Sequence, residues 1–227
     1  MLALAQGDTI ADDQRQRTAT ALARYTGLSE EFILRTDLRI ALHRFTKELL
    51  RSEHRTAGRL DSRFKGIDRD AAGEQSDYDP SYDTAIYGPF TAAFNDYVRS
   101  ALHYENDLPY EILSSGVHPW NWGTADKGFT NVAETLREAM TKNPFLKVFV
   151  ANGYYDLATP FSATEYTINH LGLDVSLQKN ITMEYYEAGH MMYIQHRSLQ
   201  KLYEDTRRFI AASFPQEPND HKLTDVS

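Results

Sequence analysis

From residue 147 to residue 193 the chain reads KVFVANGYYDLATPFSATEYTINH and then LGLDVSLQKNITMEYYEAGHMMY. Two short apolar segments, residues 145–151 and the alternating Ile181, Met183 and Tyr185, each run into a polar turn. Short, partly β-branched apolar runs are what buried parallel strands require. Between them, Ser162 and Glu165 form a capping-box signature for a helix closing near Gly172. Val132, Leu136 and Met140 mark a helix ahead of the first strand, ended by Asn143–Pro144. A last helix over residues 196–213 turns Leu199, Leu202, Tyr203, Phe209 and Ile210 inward. Helix–strand–helix–strand–helix implies parallel strands with helical crossovers. Two parallel strands alone make a poor sheet, so further strands are expected.

The two turns carry Asp156 and His190. An acid and a histidine at the C-terminal ends of successive strands form half of a charge-paired hydrolytic site. A carboxylate there can fix an imidazole tautomer and stabilise the imidazolium. Taken alone, Asp156 reads more readily as a turn or N-cap aspartate, and only the joint pattern with His190 favours the site. The small residues Ala188 and Gly189 let the backbone turn sharply ahead of His190.

The remainder of the chain is plainer. Its 227 residues suffice for one large or two small domains, and 41% hydrophobic with 25% charged residues fits a globular protein. A net charge of −8 argues against a nucleic-acid partner. With no cysteine, disulfides, thiolate nucleophiles and cysteine-ligated metals are excluded. No run is long and apolar enough for a membrane span. The start, MLALAQGDTIADDQ, turns polar early and lacks basic residues, so it does not read as a signal peptide.

Gly27 ends a first helix and Ser29 caps a second, which the spacing of Phe32, Ile33, Leu38, Leu42, Phe45 and Leu49 carries to about Ala57. Basic residues recur along it at Arg35, Arg39, His43, Lys47, Arg51, Arg55, Arg59 and Arg63. They form either a solvated face paired with Asp37, Glu48 and Glu53, or an approach for an anionic substrate group. Residues 66–89 read as a loop, with Pro89 starting a helix whose stripe is Phe90, Phe94, Tyr97 and Leu102. Trp120 and Trp122 are either packing anchors or ligand contacts.

Gly153-Tyr-Tyr-Asp156-Leu-Ala-Thr-Pro160 resembles the acid-bearing segment of the serine carboxypeptidases (peptidase family S10), and Glu187-Ala-Gly-His190-Met191 resembles that family's histidine turn. Residues 145–193, and much of 26–115, resemble its bacterial branch. The resemblance implies an α/β class: the C-terminal part of an α/β-hydrolase fold with a helical cap insertion, mostly helix with few strands. Residues 1–125 would be the cap, 126–215 the last strands and helices of the core, and 216–227 a polar tail. Asp156 and His190 would be catalytic, with Arg59, Asp61, Arg63, Glu187 and Met191 as weaker substrate-binding candidates and a peptide as substrate. A salt-bridged helix end explains Arg59, Asp61 and Arg63 equally well. Neither metal nor cofactor is implied. The family is often exported, which implies a periplasmic or secreted protein, although the residues leave compartment open.

Two departures stand out. Met192-Tyr193 replaces the family's usual Val-Pro, and Glu187 stands where glycine is common. The nucleophile is also missing: Ser114–Ser115–Gly116 lacks the flanking glycine and preceding strand of a serine elbow. The expectation is therefore a C-terminal portion of a longer enzyme, inactive alone, completed by an N-terminal part that carries the serine and oxyanion segment. A non-catalytic binding module on a hydrolase scaffold is the alternative. A di-iron bundle needs a second Glu-x-x-His, and zinc hydrolysis lacks its His-Glu-x-x-His.

Overall fold

The computed structural model describes residues 2–112, 114–123 and 130–214. It divides into two compact units, Met1–Asn121 with Tyr155–Thr159, and Trp122–Tyr154 with Pro160–Ser227. The expected tail, 216–227, lies outside the described residues. Among the described residues the protein is mostly helix, with two two-stranded sheets.

The first unit begins with α1 (Leu2–Ala5) and α2 (Asp12–Thr26). Gly27, at φ 76°, ends α2 in the left-handed region and returns its N–H to Ala23. Ser29 caps α3 (Glu30–Arg35), its Oγ accepting from Phe32 N at 3.1 Å, with Glu30 and Glu31 at the positive helix end. The single long helix expected here does not form. The chain leaves helical geometry at Asp37 and Leu38, both left-handed, and resumes in α4 (Leu42–Glu48). Leu38 turns into a cluster with Ala19, Leu28 and Ile33, where burial is worth about 2 kcal/mol. That offsets a left-handed penalty of about 1–2 kcal/mol per residue. Arg15 holds the break, bonding the Leu34 carbonyl and the Asp37 carboxylate.

Past α4 comes a single tight turn, Arg51–Glu53, and an antiparallel hairpin absent from the sequence reading. Its strands are β1 (Arg55–Ala57) and β2 (Lys65–Ile67), with Thr56 opposite Gly66. The basic series therefore shares no face. Arg35 pairs with Glu31, Arg51 with Glu48, and Lys47 is wholly buried on Asp68. Helical turns also begin earlier than Pro89. Wide turns over Pro80–Tyr87 lead into α5 (Gly88–Asp96) and continue over Tyr97–Ala101. The reason is local: Asp79 accepts from Ser81 N at 2.9 Å and Pro80 fills the first turn, a start signal nine residues ahead of Pro89. Trp120 and Trp122 are more than half exposed, so neither is a buried anchor.

The second unit contains α6 (Ala133–Lys142), β3 (Val148–Gly153), α7 (Phe161–Asn169), α8 (Val175–Gln178), β4 (Ile181–Tyr186) and α9 (His196–Ser213). β3 and β4 pair in parallel, from Val148 opposite Ile181 to Gly153 opposite Tyr186. α9 covers them, with Phe209 5.3 Å from Phe149 and Leu202 on the buried Tyr186, Ala188 and Met192. The first strand is expected to be buried, yet in β3 only Asn152 and Gly153 are, and in the alternating β4 only Tyr186 is. The capping box is absent as well. α7 starts at Phe161 behind Pro160, and Glu165 instead accepts from the Tyr185 hydroxyl at 2.7 Å.

Candidate functional site

β3 ends at Gly153 and Asp156 follows three residues on; β4 ends at Tyr186 and His190 follows four residues on. Asp156 belongs to the first unit and His190 to the second.

Within the first unit Asp156 is buried, at 5% exposure. Its Oδ1 accepts from Ala158 N at 2.8 Å and Thr159 N at 2.9 Å, and its Oδ2 from Thr159 Oγ1 at 2.5 Å. These donors fix the plane of the carboxylate. The turn-aspartate geometry is therefore present, and it holds the group rigidly.

The loop from Gly58 to Phe64, joining β1 to β2, clasps this turn. Ser62 N donates to Tyr155 O at 3.0 Å and Leu157 N to Arg59 O at 3.1 Å, one bond on each side of Asp156. Asp61 is buried and grips Arg63 through both oxygens, at 3.0 and 2.7 Å. The Arg63 guanidinium then lies over the Tyr155 ring, 4.6 Å from its centre. Asp61 and Arg63 thus form a salt bridge beside the Asp156 turn, in a hairpin loop and not at the helix end expected, and Arg59 takes no part in it. Arg59 meets that turn through its carbonyl oxygen, and the residue also lines a cleft elsewhere in the same unit.

In the second unit, residues 187–191 make the turn that carries His190. Ala188 N donates to Tyr186 O at 2.8 Å, Ala188 and Gly189 are buried, and Glu187 and His190 are exposed. Met191 is half-buried. This turn closes directly on the end of β3: a Cβ on Gly153 would stand 2.2 Å from Gly189 O and 2.7 Å from Ala188 O. Only glycine fits, which gives a steric reason for a glycine three residues before the acid.

Within the second unit the sequence reading missed an aromatic group. Tyr154 stacks on Tyr185 at 5.6 Å, and Phe161 meets both edge-on. The hydrogen bond to Glu165, helped by burial, pushes the Tyr185 hydroxyl up to about 12, so it stays a donor at neutral pH. Tyr154 and Phe161 flank the acid segment, and that proximity in sequence was the available signal. Ser114 is half-buried and its Oγ accepts from Gly116 N at 3.1 Å, and among the described residues no strand leads into it. No helix among the described residues is long and apolar enough to cross a membrane.

Comparison with protein-family models, with characterised proteins and with solved structures gave no match to this chain. The functional reading therefore rests on the residues themselves.

Proposed function

We propose that Asp156 and His190 are the acid and base of a Ser-Asp-His triad of serine carboxypeptidase type, on the C-terminal part of an α/β-hydrolase fold. The serine and its oxyanion donors would come from polypeptide outside this sequence. One observation supports the reading above the others. Two adjacent parallel strands each run into a turn, one leading to Asp156 and the other to His190, and Gly153 is bare so that the histidine turn can close over the end of β3.

In this mechanism His190 takes the proton of the serine hydroxyl as it attacks the last peptide carbonyl. It then delivers that proton to the leaving amine, freeing one C-terminal residue. Asp156, held by Ala158 and Thr159, orients the imidazole and balances its charge. Arg63, steadied by Asp61, is the candidate for peptide contacts beside Asp156, while Glu187 and Met191 flank the base. The chain alone has a base with nothing to activate and is expected to be inactive.

A fluorophosphonate probe tests this on the protein expressed with the coding sequence that precedes Met1. Labelling and release of C-terminal residues are expected, with His190→Ala or Asp156→Asn lowering turnover by about 10³–10⁴-fold. A folded protein that holds an in-frame serine elbow and takes no label would overturn the assignment. If no elbow precedes Met1, a non-catalytic binding module replaces it, a reading favoured by the lack of a serine elbow in these 227 residues.

A further inference from the structure

A cleft of about 360 Å³ opens within the first unit between α4, β1 and the segment leading to Pro80. Its floor is tied together by hydroxyls. Ser76 donates to Thr56 Oγ1 at 2.7 Å, and Thr56 donates to Thr46 O at 3.3 Å. Leu42, Ala57 and Tyr78 give it an apolar wall, and His43, Arg59 and Asp79 bring the polar groups. A mostly apolar cleft with a few converging polar groups is the usual form of a small-molecule site.

The charges of this cleft are unusual in their arrangement. Arg59 N donates to both Asp79 oxygens, at 3.1 and 3.2 Å, so the two residues are neighbours. Among the described residues their side chains nevertheless form no ion pair, and the Arg59 guanidinium makes no side-chain hydrogen bond. Asp79 Oδ1 is filled by Ser81 N at 2.9 Å and Ser81 Oγ at 2.5 Å, in addition to Arg59 N. Oδ2 accepts only the longer bond from Arg59 N among the described residues. Arg59 and Asp79, of opposite charge, thus line one small cleft as neighbours without an ion pair between them among the described residues. A simple anion would meet Arg59 but be opposed by Asp79, and a simple cation would meet the reverse. The complement of both is a ligand that carries both signs on adjacent atoms.

We infer that this cleft binds a free α-amino acid with an apolar side chain. Its carboxylate lies on Arg59, its ammonium on Asp79 Oδ2, and its side chain against Leu42, Ala57 and Tyr78. His43 supplies a further polar contact at the rim. Neither Asp156 nor His190 takes part, so binding here stands or falls separately from fluorophosphonate labelling.

Isothermal titration of the 227-residue chain tests it with three probes: L-phenylalanine, 3-phenylpropionate and 2-phenylethylamine. Phenylalanine is expected to bind, and each analogue, lacking one charge, to bind about tenfold more weakly or worse. Arg59→Gln, a change at an exposed side chain, is expected to weaken phenylalanine about tenfold and leave phenylethylamine unaffected. Asp79 also caps the Pro80 turn, so its contact is read from the ligand series on the unaltered chain. Equal binding of phenylpropionate and phenylalanine, no binding of phenylalanine, or no effect of Arg59→Gln would each overturn the inference.

Discussion

Gly153 fixes how closely the histidine turn can approach the end of β3. A methyl group there would overlap two carbonyl oxygens, Gly189 O and Ala188 O, and both are backbone atoms that cannot rotate aside. Gly153→Ala is therefore expected to cost about 2 kcal/mol or more. A lower urea midpoint with an unchanged slope would show it, and a wild-type midpoint would refute the contact. Asp205 offers a second test at this scale. Burial opposes its charge, but hydrogen bonds from Lys201, Arg208 and the Tyr186 hydroxyl outweigh burial and hold its pKa below the usual carboxylate range. A folded value below the unfolded one means that the unfolded chain binds the proton more readily. The contribution is thus complete above that range and lost as pH falls through it. Lys201 is 44% and Arg208 70% exposed, so solvent screens the network, and Asp205→Asn should cost about 1–2 kcal/mol at neutral pH. Urea unfolding of both proteins should show that gap closing below about pH 4. The residue scale was partly legible in the sequence. Asp156 and His190 stand out because polar turns follow two apolar segments, and Gly153 stands out through the resemblance alone. The partner of Gly153 did not, because close approach of two backbones leaves no mark on the residue approached.

At the scale of elements, the sequence reading failed where a distant residue decided a local question. Fourfold spacing from Arg35 onward reads as one helix, and nothing in that stretch shows that Arg15 captures Leu34 O and Asp37 to break it. The hairpin was hidden for a similar reason. Lys47, which the pattern placed on a solvated face, is fully buried with Nζ 2.8 Å from Asp68 Oδ1 and a further bond to Asp70 O. Hence α4 is joined to the end of β2 by an ion pair between residues far apart in sequence. Taking two charges out of water nearly cancels their attraction, but removing one partner leaves the other stranded. Lys47→Met should therefore destabilise the protein by about 3–5 kcal/mol, whereas Lys47→Met with Asp68→Leu should recover most of the loss. A double-mutant cycle from urea titrations checks this; additive losses would mean that the pair is not coupled. Elements governed by their own caps fared better. α2 ends at Gly27, α3 begins after Ser29, α6 ends before Asn143–Pro144 and α9 spans the expected residues 196–213, but of its stripe expected inward Leu199, Tyr203 and Ile210 are exposed. The clasp of residues 59–63 on 155–157 followed the hairpin's fate, since it requires β1 and β2 to present that loop.

For the whole molecule, the apolar periodicities were legible and what covers them was not. Parallel strands ordinarily lie buried on both faces, because crossover helices cover them. Among the described residues β3 and β4 pair only with each other, and the first four positions of β3 and the first five of β4 are all half-exposed. In the same unit Phe145 is 87% and Val175 80% exposed, and Val132 and Ile210 are also exposed. In the first unit the expected core stripe of α5 and the turn after it, Phe90, Phe94, Tyr97 and Leu102, faces solvent too. Monomeric proteins seldom display apolar surface on this scale without a use for it, and an uncovered strand edge is a template for pairing. The isolated chain should therefore bind 8-anilinonaphthalene-1-sulfonate while keeping a native near-ultraviolet circular dichroism spectrum. It should also associate as its concentration rises in sedimentation velocity. Because that association is apolar, added salt should strengthen it or leave it unchanged, although the net charge of −8 by itself would make salt screening a modest help. Sodium sulfate, which strengthens apolar burial, separates the two contributions from sodium chloride at equal ionic strength. A chain that stays monomeric without dye binding would mean that these side chains are scattered singly, a normal feature of protein surfaces, and form no contiguous face.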